Sequence, residues 1–113
     1  MGDTRTCEVS LRPAHPADAR KVHHLVRTSG ALEANSGYAY VLAFTEWDET
    51  CFVAERDGSL CGFVLAFRPP RRPDTLFVWQ VGVDPHARGT GVARRLLVEA
   101  VLRTRTRFLE ATV

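Results

Sequence analysis

Arg88, Gly89 and Gly91 lie between a strand-like run ending at Val83 and a helix-like run starting at Val92. That arrangement has the physics of an anion cradle. Where a strand ends, turns and starts a helix, the first backbone N–H groups of the helix lack intrahelical partners and point back at the turn. Glycines let the backbone approach a ligand closely and take conformations closed to other residues. A guanidinium adds fixed positive charge with several donors, suited to phosphate oxygens. A pyrophosphate is the natural occupant. Two other phosphate motifs do not fit. A P-loop ends in Gly-Lys-Ser/Thr, which is absent, and a dinucleotide fingerprint needs Gly or Ala where Arg94 stands. The plainer reading is that two glycines form only a turn and a helix start.

The remaining reactive residue types are scattered. His23 and His24 are adjacent, without the i, i+4 spacing that puts two ligands on one helix face, and His15 and His86 have no evident partner. No metal site is expected. The cysteines, Cys7, Cys51 and Cys61, are odd in number. If Asp57-Gly58 is a two-residue hairpin turn, position 54 faces 61 and position 51 faces 64. Cys51 and Cys61 then point to opposite sides of the sheet, so no bridge is expected and a reducing cytosol fits. Nothing singles out a general acid or base.

The elements that must hold the cradle follow from periodicity and turn chemistry. Thr6 to Leu11 alternates as a half-buried strand, and Ala14 to Arg27 reads as a helix with Pro16 in its first turn and Ser29-Gly30 at its end. Asn35-Ser36 can cap a second helix, Gly37 to Phe44. Thr50 to Glu55 and Leu60 to Phe67 form a hairpin. Thr75 to Val83 is the longest strand, and its run Leu76-Phe77-Val78-Trp79 suggests burial on both faces. Val92 to Arg105 is a helix and Arg107 to Val113 a strand. The last helix also carries Val98 and Leu102 opposite its apolar stripe, so it needs cover on two sides, and the final strand presents an edge. The order is that of one mixed α/β domain over residues 1–113.

Composition narrows the function classes. Hydrophobic residues at 45% and charged residues at 25% are ordinary for a globular domain, and no apolar run approaches a membrane span. No secretory signal is read in Met1 to Thr6, and its loose fit to a myristoylation pattern reads as coincidence. A net charge of +2 does not argue for nucleic acid. All but one of the 15 basic residues are Arg, Lys21 being the exception, a skew that reflects base composition more than a binding surface. Arg68 to Pro73 reads as a solvated loop between strands rather than a proline-rich ligand.

Arg88-x-x-Gly91-x-Ala93, with Val81-x-Val83-x-Pro85 before it and Leu96-Leu97 after it, resembles the signature of the GNAT superfamily of N-acetyltransferases. A longer likeness surrounds it. Leu32-Glu33-Ala34-Asn35-Ser36-Gly37-Tyr38-Ala39-Tyr40, Thr50 to Glu55, Gly62-Phe63-Val64, the block from Phe67 to Val81 and the closing Leu109 to Val113 are similar to the diaminobutyrate acetyltransferases of ectoine synthesis. The resemblance implies a GNAT-type fold, a mixed and mostly antiparallel sheet flanked by helices. It implies that Val81, Gly82, Val83, Arg88, Gly89, Thr90, Gly91, Val92 and Ala93 hold acetyl-coenzyme A. It implies a small diamine substrate near Glu33, Asn35, Tyr38 and Trp79. Apart from the resemblance, a homodimer is one way to cover the exposed strand edge and the two-sided last helix, and the unbridged cysteines fit a cytoplasmic protein. Glu33 stands where the family has Asp. The family continues with a histidine- and glutamate-rich segment, so a domain lacking its C-terminal strands and helix is expected.

The implied reaction is direct attack of a neutral γ-amine on the thioester, with a backbone N–H around Val81 to Val83 holding the oxyanion. Read from residues alone, Glu33 is also a solvated loop carboxylate, and a strand tryptophan such as Trp79 is usually core. Tyr38 and Tyr40 diverge on a helix, so at most one points into a site. Two alternatives stay open: a GNAT enzyme for another small amine, and a non-catalytic module that binds acetyl-coenzyme A.

Overall fold

A computed structural model describes residues 9–30 and 34–111. Asp57 and Gly58 take φ of 54° and 79°, the left-handed pair that a two-residue hairpin turn needs to match strand twist. They join β2 (Phe52–Arg56) to β3 (Ser59–Phe67) as an antiparallel pair. β1 (Val9–Pro13) pairs antiparallel with β2, and β4 (Thr75–Val83) pairs antiparallel with β3. β5 (Phe108–Ala111) lies parallel to β4, completing the order β1-β2-β3-β4-β5. A parallel neighbour cannot be reached by a tight turn, and α3 (Val92–Thr104) makes the crossover.

The helices cover both faces. α1 (Ala19–Ser29) and α2 (Gly37–Glu46) bury Val22, Leu25, Val26, Tyr40 and Phe44 against Cys51, Val53, Phe63 and Leu65. On the other face α3 buries Val92, Leu96 and Ala100 against Phe52, Ala54, Val64, Leu76 and Val78. Gly62 allows α3 to approach this closely. A Cβ there would lie 3.1 Å from Val92 Cγ1 and 3.2 Å from both Leu96 Cδ1 and the Gly82 carbonyl oxygen.

The element order is as expected, and several boundaries move for physical reasons. β1 runs to Pro13, and residues 6–8, with Cys7, lie outside the described residues, as do Met1 to Thr6. Proline is tolerated there because β1 is an edge strand. The first helix does not start at Ala14, whose N–H donates to the Cys51 carbonyl at 2.8 Å. A 3-10 turn, Pro16–Asp18, comes first, with His15 as its cap. His15 Nδ1 accepts from the Ala17 N–H at 3.0 Å, and Asp18 Oδ2 accepts from the His15 N–H at 2.8 Å. Gly30 ends α1 at φ 71°. Ser36, not Asn35, caps α2, its Oγ accepting from the Ala39 N–H at 3.2 Å.

The hairpin register also differs. Ala54 faces Gly62 and Phe52 faces Val64, because Cys61 is an extra residue in a bulge. Cys51 and Cys61 still lie on opposite faces, since the bulge leaves Cys61 and Gly62 on the same side, toward α3. Both are free and buried. β4 is buried at Leu76 and Val78 but not throughout: Trp79 is 36% exposed. Val98 and Leu102 lie exposed on the outer side of α3, and β5 is exposed along its length. Thr112 and Val113 fall outside the described residues. No helix among the described residues is long and apolar enough to cross a membrane.

Candidate functional site

The C-terminal half of β4 departs from regular sheet in two ways. Leu65 faces Gln80 while Ala66 faces Val78, so Trp79 is an unmatched bulge residue. Among the described residues β5 pairs with Thr75 to Val78, and from Val81 to Val83 that edge of β4 has no strand neighbour among them. In an antiparallel pair every second residue directs its N–H and C=O away from its partner. Along Val81 to Val83 these groups face an open edge, where another extended chain can bond to them.

The strand then turns under close control. The Asp84 N–H donates to the Cys61 carbonyl at 2.8 Å, and Asp84 Oδ1 accepts from the His86 N–H at 2.8 Å. Pro85–Ala87 forms a 3-10 turn that buries Ala87 completely. The Thr90 hydroxyl donates to the Ala87 carbonyl, folding the loop back on that anchor. Gly89 and Gly91 sit at φ 81° and 82°, and a Cβ at either would meet nothing within 4 Å. The positive φ therefore serves the loop's path beside open space, not a close contact within the protein. Gly91 is the N-cap of α3 and offers no side chain, so the N–H groups of the first turn have no side-chain cap.

Of the residues expected at a coenzyme site, Arg88, Gly89, Thr90 and Gly91 are exposed on this loop. Val81 and Val83 are half-buried on the open-edged stretch, and Gly82 is buried between them. The Val92 side chain is in the core and Ala93 is half-buried, so what these two present to the loop is backbone. Arg88 pairs with no carboxylate among the described residues. Cationic charge, uncapped N–H groups and the positive end of a helix thus share one small region. The residues fit a pyrophosphate.

The acceptor residues are brought together only in part. Glu33 lies outside the described residues. Asn35 reaches β4, its Nδ2 lying 3.4 Å from Gln80 Oε1. Tyr38 is 71% exposed, whereas Tyr40 is fully buried and donates its phenolic proton to Gln80 Oε1 at 2.7 Å. Trp79 neither joins the core nor stands alone. It meets Trp47 edge-on at 6.1 Å, beside a cavity of about 300 Å³ lined by Ala39, Leu42, Ala43 and Glu46. Trp47 in turn stacks on Phe67 at 4.6 Å, and Phe67 contacts Phe77 at 5.3 Å.

Sequence reasoning gives no individual role to Gln80 or Trp47, and it weighs Tyr40 with Tyr38 without choosing between them. Which tyrosine faces inward depends on how α2 docks, and it is Tyr40 that is buried. Burial holds both thiols in the neutral form, pushing Cys51 up to about 12 and raising Cys61 as well. Neither cysteine is poised as a nucleophile. No group of three metal-ligating side chains occurs among the described residues.

Comparison with known proteins bears on the family and the fold. The L-2,4-diaminobutyric acid acetyltransferase of Chromohalobacter salexigens is 46% identical over 93 residues, 81% of this chain and 48% of that protein. The protein of the same name from Halalkalibacterium halodurans is 42% identical over 96% of this chain and 60% of its own length. The structure of the diaminobutyrate acetyltransferase from Paenibacillus lautus, in complex with L-2,4-diaminobutyric acid and coenzyme A, superposes with a TM-score of 0.89 at 40% identity. That match covers 95% of this chain and 66% of the other. Ard1 from Thermoplasma volcanium shares the fold, with a TM-score of 0.75 at 24% identity over 86% of this chain and 64% of the other. The chain therefore spans about half to two-thirds of the length of these proteins. The acetyltransferase (GNAT) family profile matches residues 18–113, from the start of α1 through the glycine loop to β5, and the chain belongs to the GNAT family.

Proposed function

We propose that this chain is a single GNAT domain, or the larger part of one, that transfers acetyl from acetyl-coenzyme A to the γ-amino group of L-2,4-diaminobutyrate. The observation that carries the proposal is the continuity of two features. The open edge of β4 at Val81 to Val83 runs directly into an exposed loop of Arg88, Gly89 and Gly91 at an uncapped helix N-terminus. A ligand with an amide-bearing arm and a pyrophosphate matches that order, and coenzyme A has both. The likeness to the Paenibacillus lautus structure supports the choice of acceptor.

Bound there, acetyl-coenzyme A supplies an activated acetyl thioester. This chain's residues bind and orient. The N–H groups of the α3 first turn and the Arg88 guanidinium hold phosphate oxygens. Thr90 keeps the loop folded on Ala87. Backbone N–H groups on the open edge of β4 donate to the oxygen on which negative charge develops. Asn35, Tyr38 and Trp79, with Glu33 beyond the described residues, belong to the acceptor side. An ammonium group must lose its proton before it attacks, and a carboxylate, acting through water, is the class of group that accepts it. A homodimer is part of the same reading, supported by the exposed apolar positions Val98, Leu102, Phe108 and Leu109, and a cytoplasmic location by the free thiols of Cys51 and Cys61.

Calorimetric titration with acetyl-coenzyme A, followed by initial rates with diaminobutyrate, lysine and ornithine, tests the proposal. Binding of acetyl-coenzyme A with turnover preferring diaminobutyrate is expected. Preference for another amine would displace the acceptor. Binding without turnover would reduce the chain to a coenzyme-binding module, and no binding would remove the donor site.

A further inference from the structure

Tyr40 is fully buried, and its ring is held on three sides. Phe63 meets it edge-on at 6.2 Å, Phe44 lies at 6.3 Å and the His23 ring at 5.8 Å. A phenylalanine would fill the same space. What the tyrosine adds is one hydroxyl, and that hydroxyl is at the centre of a closed polar triangle. It donates to Gln80 Oε1 at 2.7 Å. It accepts, over longer distances, from the Asn35 backbone N–H at 3.5 Å and from Asn35 Nδ2 at 3.4 Å. Asn35 Nδ2 also lies 3.4 Å from the same Gln80 oxygen. One donor and two acceptor positions are what a phenol offers, so its capacity is fully used.

The three residues come from separate parts of the chain. Asn35 is in the loop entering α2, Tyr40 is in the first turns of α2, and Gln80 follows the bulge residue Trp79 on β4, just before the stretch Val81 to Val83. The phenol is thus a strut between the two sides of the site. We propose that Tyr40 is a positioning residue that fixes the loop at residues 34–36 against the β4 bulge and so sets the acceptor amine relative to the open edge. The identity of that amine rests on the diaminobutyrate reading, whereas the strut itself does not.

The strut acts on one ligand and not the other. The coenzyme loop, Arg88 to Gly91, is anchored separately through Asp84, Ala87 and Thr90. Tyr40→Phe removes the hydroxyl and keeps the ring. One net hydrogen bond is worth about 0.5–1.5 kcal/mol, so diaminobutyrate affinity falls roughly three- to tenfold, while acetyl-coenzyme A affinity stays within about twofold. Amide exchange at Asn35 and Ser36 speeds up, and exchange in the buried turns of α1 does not change.

Gln80→Leu cuts the strut from the other end, and the double variant should be no worse than the weaker single one. The experiment is calorimetric titration of the parent and the three variants with each ligand, together with hydrogen exchange. Unchanged diaminobutyrate affinity, equal losses for both ligands, or additive effects of the two substitutions would overturn the proposal. If the parent chain binds no diaminobutyrate, the acceptor reading fails on its own. The strut is then decided by exchange, and unchanged protection of Asn35 in Tyr40→Phe refutes it.

Discussion

Gly91→Ala separates the structural from the ligand-binding use of a left-handed glycine. Gly91 sits at φ 82°, and a Cβ added there meets nothing within 4 Å, so the substitution carries backbone strain without a clash. Strain of an L-residue in this region costs about 1–2 kcal/mol. Reduced freedom of the unfolded chain returns about 0.4–1 kcal/mol, leaving a net loss of up to about 1.5 kcal/mol. In a domain of this size that lowers Tm by up to roughly 8 °C. Gly58, at φ 79° in the β2–β3 turn and equally without a neighbour within 4 Å, gives a matched control. Gly58→Ala should cost the same stability.

The two variants part company on ligand. At Gly91 the new methyl group enters the space beside the uncapped N–H groups of α3. Losing one hydrogen bond to a charged phosphate costs about 1.5–3 kcal/mol, or roughly ten- to a hundredfold in affinity. Thermal unfolding without ligand and calorimetric titration with acetyl-coenzyme A measure the two quantities separately. Equal loss of affinity in both variants, or full affinity in Gly91→Ala, would refute the assignment of this loop to the pyrophosphate.

Arg88→Ala should weaken acetyl-coenzyme A binding, and the gap between variant and parent should narrow as salt is raised, since the contribution is exposed charge; titrations at two ionic strengths check this. Gly62→Val forces a branched side chain into contacts of 3.1–3.2 Å with Val92, Leu96 and the Gly82 carbonyl, and should destabilise by about 1–3 kcal/mol or more, read from urea unfolding. Asp18 accepts from both Arg12 Nη atoms at 2.9 Å and from the His15 N–H, and this bonding holds its carboxyl below the usual range. A depressed folded-state pKa contributes stability that is present above the unfolded value and lost as pH falls through the folded one. Asp18→Asn should therefore be less stable than the parent at neutral pH, and the two curves should converge in acid, as denaturant midpoints against pH would show.

The parts of the fold carried by neighbouring residues were legible from the amino-acid string. Asp57-Gly58 announces its turn, Ser29-Gly30 and Ser36 mark helix ends, and β4 runs over the expected Thr75 to Val83. The loop proposed to hold the coenzyme was legible as a structural element for the same reason. Strand, turn, glycines, arginine and helix are contiguous, and their chemistry depends on backbone groups within a few residues of one another.

What depends on distant partners was not legible. Two bulges, at Cys61 and Trp79, are register facts of strand pairs and leave no local mark. They decide that Trp79 leaves the core, and that Cys61 faces α3 despite a register other than the simple one. The choice between Tyr38 and Tyr40 is of the same kind. Both lie on α2, and only the docking of that helix on Phe63 buries one and exposes the other. Thus the sequence by itself determined the elements and the conformation of the Arg88–Gly91 loop, through local backbone chemistry. Tertiary structure alone decided the Asn35–Tyr40–Gln80 contacts on the proposed acceptor side, because they join residues 40 and 45 positions apart.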